Sequence, residues 1–156
     1  MKGEQSVIDI LNEILTGELT TVNQYFLHAK MCKNWGYVRL AERIRAESID
    51  EMKHADQLID RILYLEGLPN VQKLGKVQIG QSVHEILKHD LAAELVAVPL
   101  LNRAAELCRN AKDHGSEALV VQILQSEEEH VDWLESQLEL VKQVGEANYL
   151  AQQIKG

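Results

Sequence analysis

The sequence predicts an all-α protein: a bundle of four long helices, one long crossover between the second and third, and a short fifth helix. Three observations predict it. Apolar residues recur at helical spacing along almost the whole chain. Helix breakers are scarce, with 9 glycines and 2 prolines in 156 residues, while Leu, Ala, Glu, Gln and Lys, which lose little freedom in a helix, dominate. The connections are unequal, two of them tight and one long. The length suits one domain, expected over residues 1–156. With 46% hydrophobic and 26% charged residues, a core is feasible and disorder is not expected.

Helix α1 is expected over Glu4 to Asn34, from Val7, Ile8, Leu11, Ile14, Leu15, Leu19, Val22 and Phe26. Helix α2 is expected from Val38 to Leu65, stopped by Gly67 with Pro69 beyond it. Helix α3 starts at Ser82, where Ser82-Val83-His84-Glu85 reads as a capping box, and runs to Lys112. Helix α4 is expected from Ser116 to Val144, ended by Gly145, and α5 from Ala147 to Ile154. Tight turns around Gly36 and Gly115 make α1–α2 and α3–α4 antiparallel pairs. The stretch from Glu66 to Gln81 is long enough to travel the length of the bundle, so α3 can run parallel to α2. Its apolar beads Leu68, Val71, Leu74, Val77 and Ile79 predict a segment that packs down. Four helices with one such crossover form the ferritin-like arrangement. Pro99, inside α3, deletes a hydrogen bond to the Leu95 carbonyl and predicts a bend near Leu95 to Pro99 beside Glu94.

A net charge of −8 argues against nucleic acid as a partner and suits cations. The longest apolar run, Leu95 to Leu101, is far short of a membrane span. Met1-Lys2-Gly3-Glu4 opens into a mixed polar segment without a signal-peptide core. Cys32 and Cys108 have no zinc spacing and read as free thiols. The expectation is a reduced, cytoplasmic protein.

Four glutamates interrupt the apolar stripes. Glu18 lies among Leu11, Ile14, Leu15, Val22 and Tyr25; Glu51 among Ile44, Ala55 and Leu58. Glu94 lies among Leu87, Leu91, Val98 and Leu101; Glu127 among Val120, Ile123, Leu124, Val131 and Leu134. All are near mid-helix, so packing brings them to one level. Four ionised carboxylates in an apolar interior need protons or cations, and two divalent ions would neutralise them. His54 follows Glu51 by three positions and His130 follows Glu127 likewise, so each pair shares a helix side. One Glu from each of two helices and a Glu-x-x-His from each of the others is a di-iron or di-manganese pattern. His28, His84, His89 and His114 lack such partners and read as surface or interface histidines.

With this ligand set, the sequence resembles the bacterioferritins over essentially its whole length. The resemblance also rests on Asn23-Gln24-Tyr25-Phe26-Leu27-His28, on Glu47 through Asp56, on Leu65-Glu66-Gly67-Leu68-Pro69-Asn70 and on Asn148-Tyr149-Leu150. The second Glu-x-x-His separates it from ordinary ferritins, and the lack of a C-terminal C-x-x-C pair from rubrerythrin. The resemblance implies a shell of 24 identical subunits, Fe(II) oxidation by oxygen or peroxide, and storage of ferric mineral. It implies two iron ions per subunit, bridged by Glu51 and Glu127, with Glu18 and His54 completing one site and Glu94 and His130 the other. Tyr25 is either a core tyrosine or a hydrogen-bonding neighbour of that site. Met52 points about 100° away from Glu51, near Ile49 and Ile59; periodicity reads it as interface packing, the resemblance as the axial ligand of a haem b shared by two subunits.

Some positions depart from the family pattern. Ala46 stands where some members have a histidine that, with Asp50, holds additional iron. Ala151 replaces a glutamine at the four-fold pore, where Asn148 is kept; Asn34, Glu66 and Asp132 resemble another pore lining, with Glu139 for an aspartate. The leading reading is a ferroxidase that stores iron. The alternative is a haem-bearing structural subunit that co-assembles with a more active ferritin paralogue. The resemblance also implies docking of a bacterioferritin-associated ferredoxin around Leu68, Pro69, Lys76 and Glu85.

Overall fold

The computed structural model describes residues 1–155. It contains α1 (Gln5–Asn34), α2 (Val38–Tyr64), α3 (Val83–Asn110), α4 (His114–Val144) and α5 (Glu146–Ala151). Among the described residues there is no strand, and no helix is long and apolar enough to cross a membrane. The bundle is ferritin-like. Helices α1 and α2 pack along each other, as do α3 and α4, and α1 joins the pairs through α3.

The helix ends explain the turns. Each of the first three helices closes with a backbone bond that reaches back into its last turn: Tyr37 N–H to Cys32 O, Gly67 N–H to Ile62 O, and Asp113 N–H to Cys108 O, all 2.9 Å. The left-handed residue in these caps is Gly36 (φ 94°), Glu66 (φ 63°) and Lys112 (φ 57°). Thus Gly67 does not supply the positive φ of its cap. A Cβ on Gly67 would meet Ile8 Cγ2 at 2.6 Å, so the glycine is there for close approach.

Gly115 is likewise not in the turn where the sequence put it. Helix α4 begins two residues earlier than expected, because Asp113 is its N-cap: the carboxylate accepts from Ser116 N–H at 3.0 Å. Asp113 also takes the Arg61 guanidinium at 2.8 Å, and the missing Cβ of Gly115 makes room for that guanidinium. At Ser82 the expected cap forms, with Glu85 N–H on the Ser82 hydroxyl at 3.2 Å and the Glu85 carboxylate on Gln81 N–H at 2.8 Å.

The crossover corrects two expectations. Leu68, Val71 and Leu74 are exposed rather than packed down. Polar side chains of α1 hold the segment instead. Asn12 Nδ2 donates to Leu68 O (3.1 Å), and its Oδ1 accepts Asn70 N–H (2.8 Å). Thr20 Oγ1 accepts Gly75 N–H (2.8 Å), Gln24 Oε1 accepts Gln78 N–H (3.0 Å), and His28 Nε2 accepts Gly80 N–H (3.0 Å). His28 is therefore not a surface histidine. It is fully buried, with Nδ1 2.8 Å from Asp90 Oδ1 on α3. His84 and His114 are exposed and His89 is partly so.

Helix α3 continues in α form through Pro99. Leu95, whose carbonyl loses its partner there, is half exposed, so water can reach that end of the turn. Gly145 (φ 86°) turns the chain from α4 into α5. Tyr149 anchors α5 by burial and by its hydroxyl on Gln137 Oε1 (2.7 Å). Cys32 and Cys108 are buried free thiols.

The core has two apolar halves. One joins Leu11, Ile14 and Leu15 to Leu58, Ile62, Leu101 and Ile123; the other joins Tyr25 and Cys32 to Leu40, Ile44, Ile86, Leu87 and Leu134. Each large buried side chain in them contributes about 1.5–3 kcal/mol, and a band of buried charge lies between the two halves. That band holds the candidate site.

Candidate metal centre

Each helix contributes to the band from its middle. Glu18, Glu51, Glu94 and Glu127 are at most 3% exposed, and His54 and His130 are buried beside them. The six side chains sort into two overlapping groups whose ligand-type atoms lie within 4.8 Å of one another. One is Glu18, Glu51, His54 and Glu127; the other is Glu51, Glu94, Glu127 and His130. Glu51 and Glu127 belong to both. The i, i+3 spacing does this, since it sets each histidine over the same helix side as the shared glutamate one turn before it.

The atoms are close but not mutually satisfied. His54 Nδ1 lies 3.2 Å from Glu127 Oε1 and 3.5 Å from Glu18 Oε2; His130 Nδ1 lies 3.3 Å from Glu94 Oε1. Yet both Nδ1 atoms, Glu18 Oε2, Glu94 Oε2 and both Glu127 oxygens are buried without a hydrogen-bond partner. A cluster of orphaned carboxylate oxygens and imidazole nitrogens is costly as it stands. It becomes satisfied if cations sit among them. Oxygen and imidazole donors suit iron, manganese or zinc, so the residues present fit a pair of divalent ions.

The electrostatics agree with that reading. Burial raises the Glu18 carboxyl and pushes Glu94 well above the ordinary range, Glu127 adding to the effect on Glu94; burial and Glu18 raise Glu127. Burial opposes charge on His54, but the Glu127 and Glu18 carboxylates outweigh it and lift His54 to about 10. His130 is raised in the same way, by Glu94 against burial. Each of these shifts favours a bound proton, so protons and cations compete for the band.

Several neighbours brace these six. The Tyr25 hydroxyl donates to Glu94 Oε1. Burial and the Glu94 carboxylate push that phenol well above its usual value, so it stays a donor. The Tyr25 ring meets His130 edge-on at 5.2 Å, and the Trp133 ring is stacked with His130 at a centroid distance of 6.3 Å. Thr21 Oγ1 lies 3.3 Å from Glu51 Oε2. Glu47 Oε2 is 3.7 Å from His130 Nδ1, while Glu47 Oε1 accepts from Arg43 Nε at 2.9 Å. Trp133, Thr21 and the Glu47–Arg43 pair were not singled out by sequence. Glu47 precedes Glu51 by one helical turn, and that spacing could have found it.

Met52 lies elsewhere. It is half exposed on α2 with Ile49, and Phe26 is exposed on α1.

A family model for the ferritin-like domain matches residues 8–144. The bacterioferritin of Mycobacterium leprae is 49% identical over 152 residues, covering 97% of this chain and 96% of that protein. The chain belongs to the bacterioferritin family. Its similarity to the bacterioferritin of Streptomyces coelicolor is of the same order, 50% identity over 151 residues, covering 97% of this chain and 90% of that protein. The Brucella melitensis bacterioferritin is 46% identical over 149 residues, 96% of this chain and 92% of that protein. Family membership thus spans both halves of the core and the charged band between them.

Proposed function

We propose that this chain stores iron, and that the Glu18, Glu51, His54, Glu94, Glu127 and His130 cluster oxidises Fe(II) before storage. The observation that carries the proposal is the pair of overlapping ligand groups with orphaned buried atoms. Iron is the substrate. Glu18 and His54 hold one Fe(II), Glu94 and His130 the other, and Glu51 and Glu127 lie between the two. Each Fe(II) gives up one electron. The two electrons and two protons convert dioxygen to hydrogen peroxide, or hydrogen peroxide to two waters. Four carboxylates favour the more highly charged Fe(III) product over Fe(II), which is where the protein's contribution to the reaction lies. Tyr25 holds Glu94 in place through its hydroxyl.

The family and the exposed apolar residues of α1 and α2 support assembly of identical subunits into a shell, with Phe26, Ile49 and Met52 against a second copy. Met52 offers a thioether there that would hold a haem b shared with the second copy, a group that would supply electron transfer. The protein would act in the cytoplasm.

Stopped-flow oxidation of Fe(II), at two per subunit, tests the proposal. Glu18→Ala and Glu127→Ala should each abolish the rapid phase and leave assembly intact. Wild-type rates in both variants overturn the site, and a wild-type protein without a rapid phase favours the structural-subunit alternative.

A further inference from the structure

A cavity of about 80 Å³ lies between α1 and α3, directly above the cluster. Its floor is Glu18, Glu51, Glu94 and Glu127. Its mouth is Gly17 and Val96, both exposed, with Ala93, Ala97 and Leu100 part-buried around them. We infer that this cavity admits the small neutral oxidant, and that Gly17 keeps it open; the inference rests on the ferroxidase reading above.

Three observations carry it. The unpartnered oxygens of Glu18, Glu94 and Glu127 belong to residues of the floor, so the cavity leads to reactive groups and not merely to a packing defect. Gly17 is a mid-helix glycine, which weakens a helix, yet a Cβ there would meet nothing within 4 Å. Close packing therefore does not require it. What its missing side chain does is leave the mouth clear.

The walls decide what passes. Above the carboxylates they are aliphatic apart from Thr21, whose hydroxyl is already engaged with backbone carbonyls and Glu51. A divalent ion would have to shed its water with almost nothing to replace it. Dioxygen has no such penalty and neutral hydrogen peroxide a far smaller one than a divalent ion, and at about 30 Å³ per water the cavity holds two or three molecules of that size.

The aliphatic cavity lacks a polar lead to the surface, and such a lead exists on another side of the cluster. From His130, Glu47 leads to Arg43, whose side chain is 43% exposed, so polar groups continue from the cluster to the surface. The cavity is then the oxidant's route, and the metal reaches the cluster by another.

The experiment uses the assembled full-length protein and Gly17→Leu, with Val96→Phe as a second plug from the facing helix. Co(II), which dioxygen does not oxidise at this rate, reports metal entry by its visible absorption. Fe(II) loaded anaerobically and then mixed with limiting dioxygen reports oxidant entry. Both variants should bind Co(II) at wild-type stoichiometry and rate and should oxidise preloaded Fe(II) at least about tenfold more slowly. Slowed Co(II) entry with unchanged oxidation of preloaded iron would make the cavity the metal route and overturn the inference. Unchanged rates in both assays, or equal slowing in both, would overturn it as well. If wild-type protein binds Co(II) but does not oxidise preloaded iron, the ferroxidase reading fails instead.

Discussion

His28 and Asp90 face each other across 2.8 Å in the interior, one from α1 and one from α3, and neither is more than 1% exposed. Because His28 Nε2 accepts Gly80 N–H, its proton sits on Nδ1 and is donated to Asp90. Gln24 Nε2 donates to the same carboxylate oxygen at 2.9 Å while its Oε1 holds Gln78 N–H. Two α1 side chains thus fasten α3 on one side and the crossover on the other.

Removing either fastener should loosen the crossover before it disturbs the helices. His28→Ala is expected to cost about 1–3 kcal/mol, the cost of leaving buried polar groups unpaired. Amide exchange at Gly80 and Gln78 should accelerate more than at Leu58 or Ile123. Urea unfolding and hydrogen exchange check it; uniform acceleration at all four sites would contradict a local role.

The charged band predicts an unusual response to pH in the metal-free protein. Glu18, Glu94 and Glu127 hold protons more tightly folded than unfolded. Their contribution is therefore most favourable below the ordinary carboxyl value of 4.5 and is lost as pH rises through their raised values. Glu94→Gln keeps an acceptor for Tyr25 and removes one such group. It should stabilise the metal-free fold by about 1 kcal/mol or more at pH 9 and by less at pH 6. Thermal unfolding in chelator at both values checks the slope.

Metal loading should expel protons. The imidazoles and carboxylates must give theirs up to bind, and neutrality with two divalent ions bounds the number at no more than about four per subunit. Affinity falls as pH is lowered, since protons and metal compete. An indicator dye in weak buffer, read during Co(II) binding, measures the release; less than about one proton per subunit would contradict the protonated band.

Met52→Leu should lose most bound haem, because leucine offers no sulfur to iron, and Met52→His should keep haem with an altered spectrum. Pyridine haemochrome content and visible spectra decide between a haem ligand and plain interface packing.

Much of this was legible in the sequence, and the rest was hidden for a physical reason. Helical periodicity set the five helices to within a few residues, and the same periodicity placed Glu18, Glu51, Glu94 and Glu127 on inward faces. It could not show that Gln24 and His28 are buried. They sit on a side of α1 covered by the crossover backbone and by Asp90 of α3, and a polar side covered by polar partners reads as surface. Gly115 and Gly67 misled for a different reason: both serve a neighbour's side chain, Arg61 and Ile8, which no local pattern reveals. The Glu47–Arg43 pair was missed because a charged i, i+4 pair at a helix surface ordinarily signifies little.

The crossover has one more consequence, for how such a chain can change. Its course is written in α1, at Asn12, Thr20, Gln24 and His28, and three of these four hold it only through main-chain N–H groups of the segment itself. Any segment of the same length, with free amides at the same stations and glycine where Gly80 abuts the start of α3, could be laid along the same groove. The outward side chains Leu68, Val71 and Leu74 carry no part of that instruction. They are free to drift, or to be rewritten for whatever meets the outside of the bundle, while the bundle inside stays as it is.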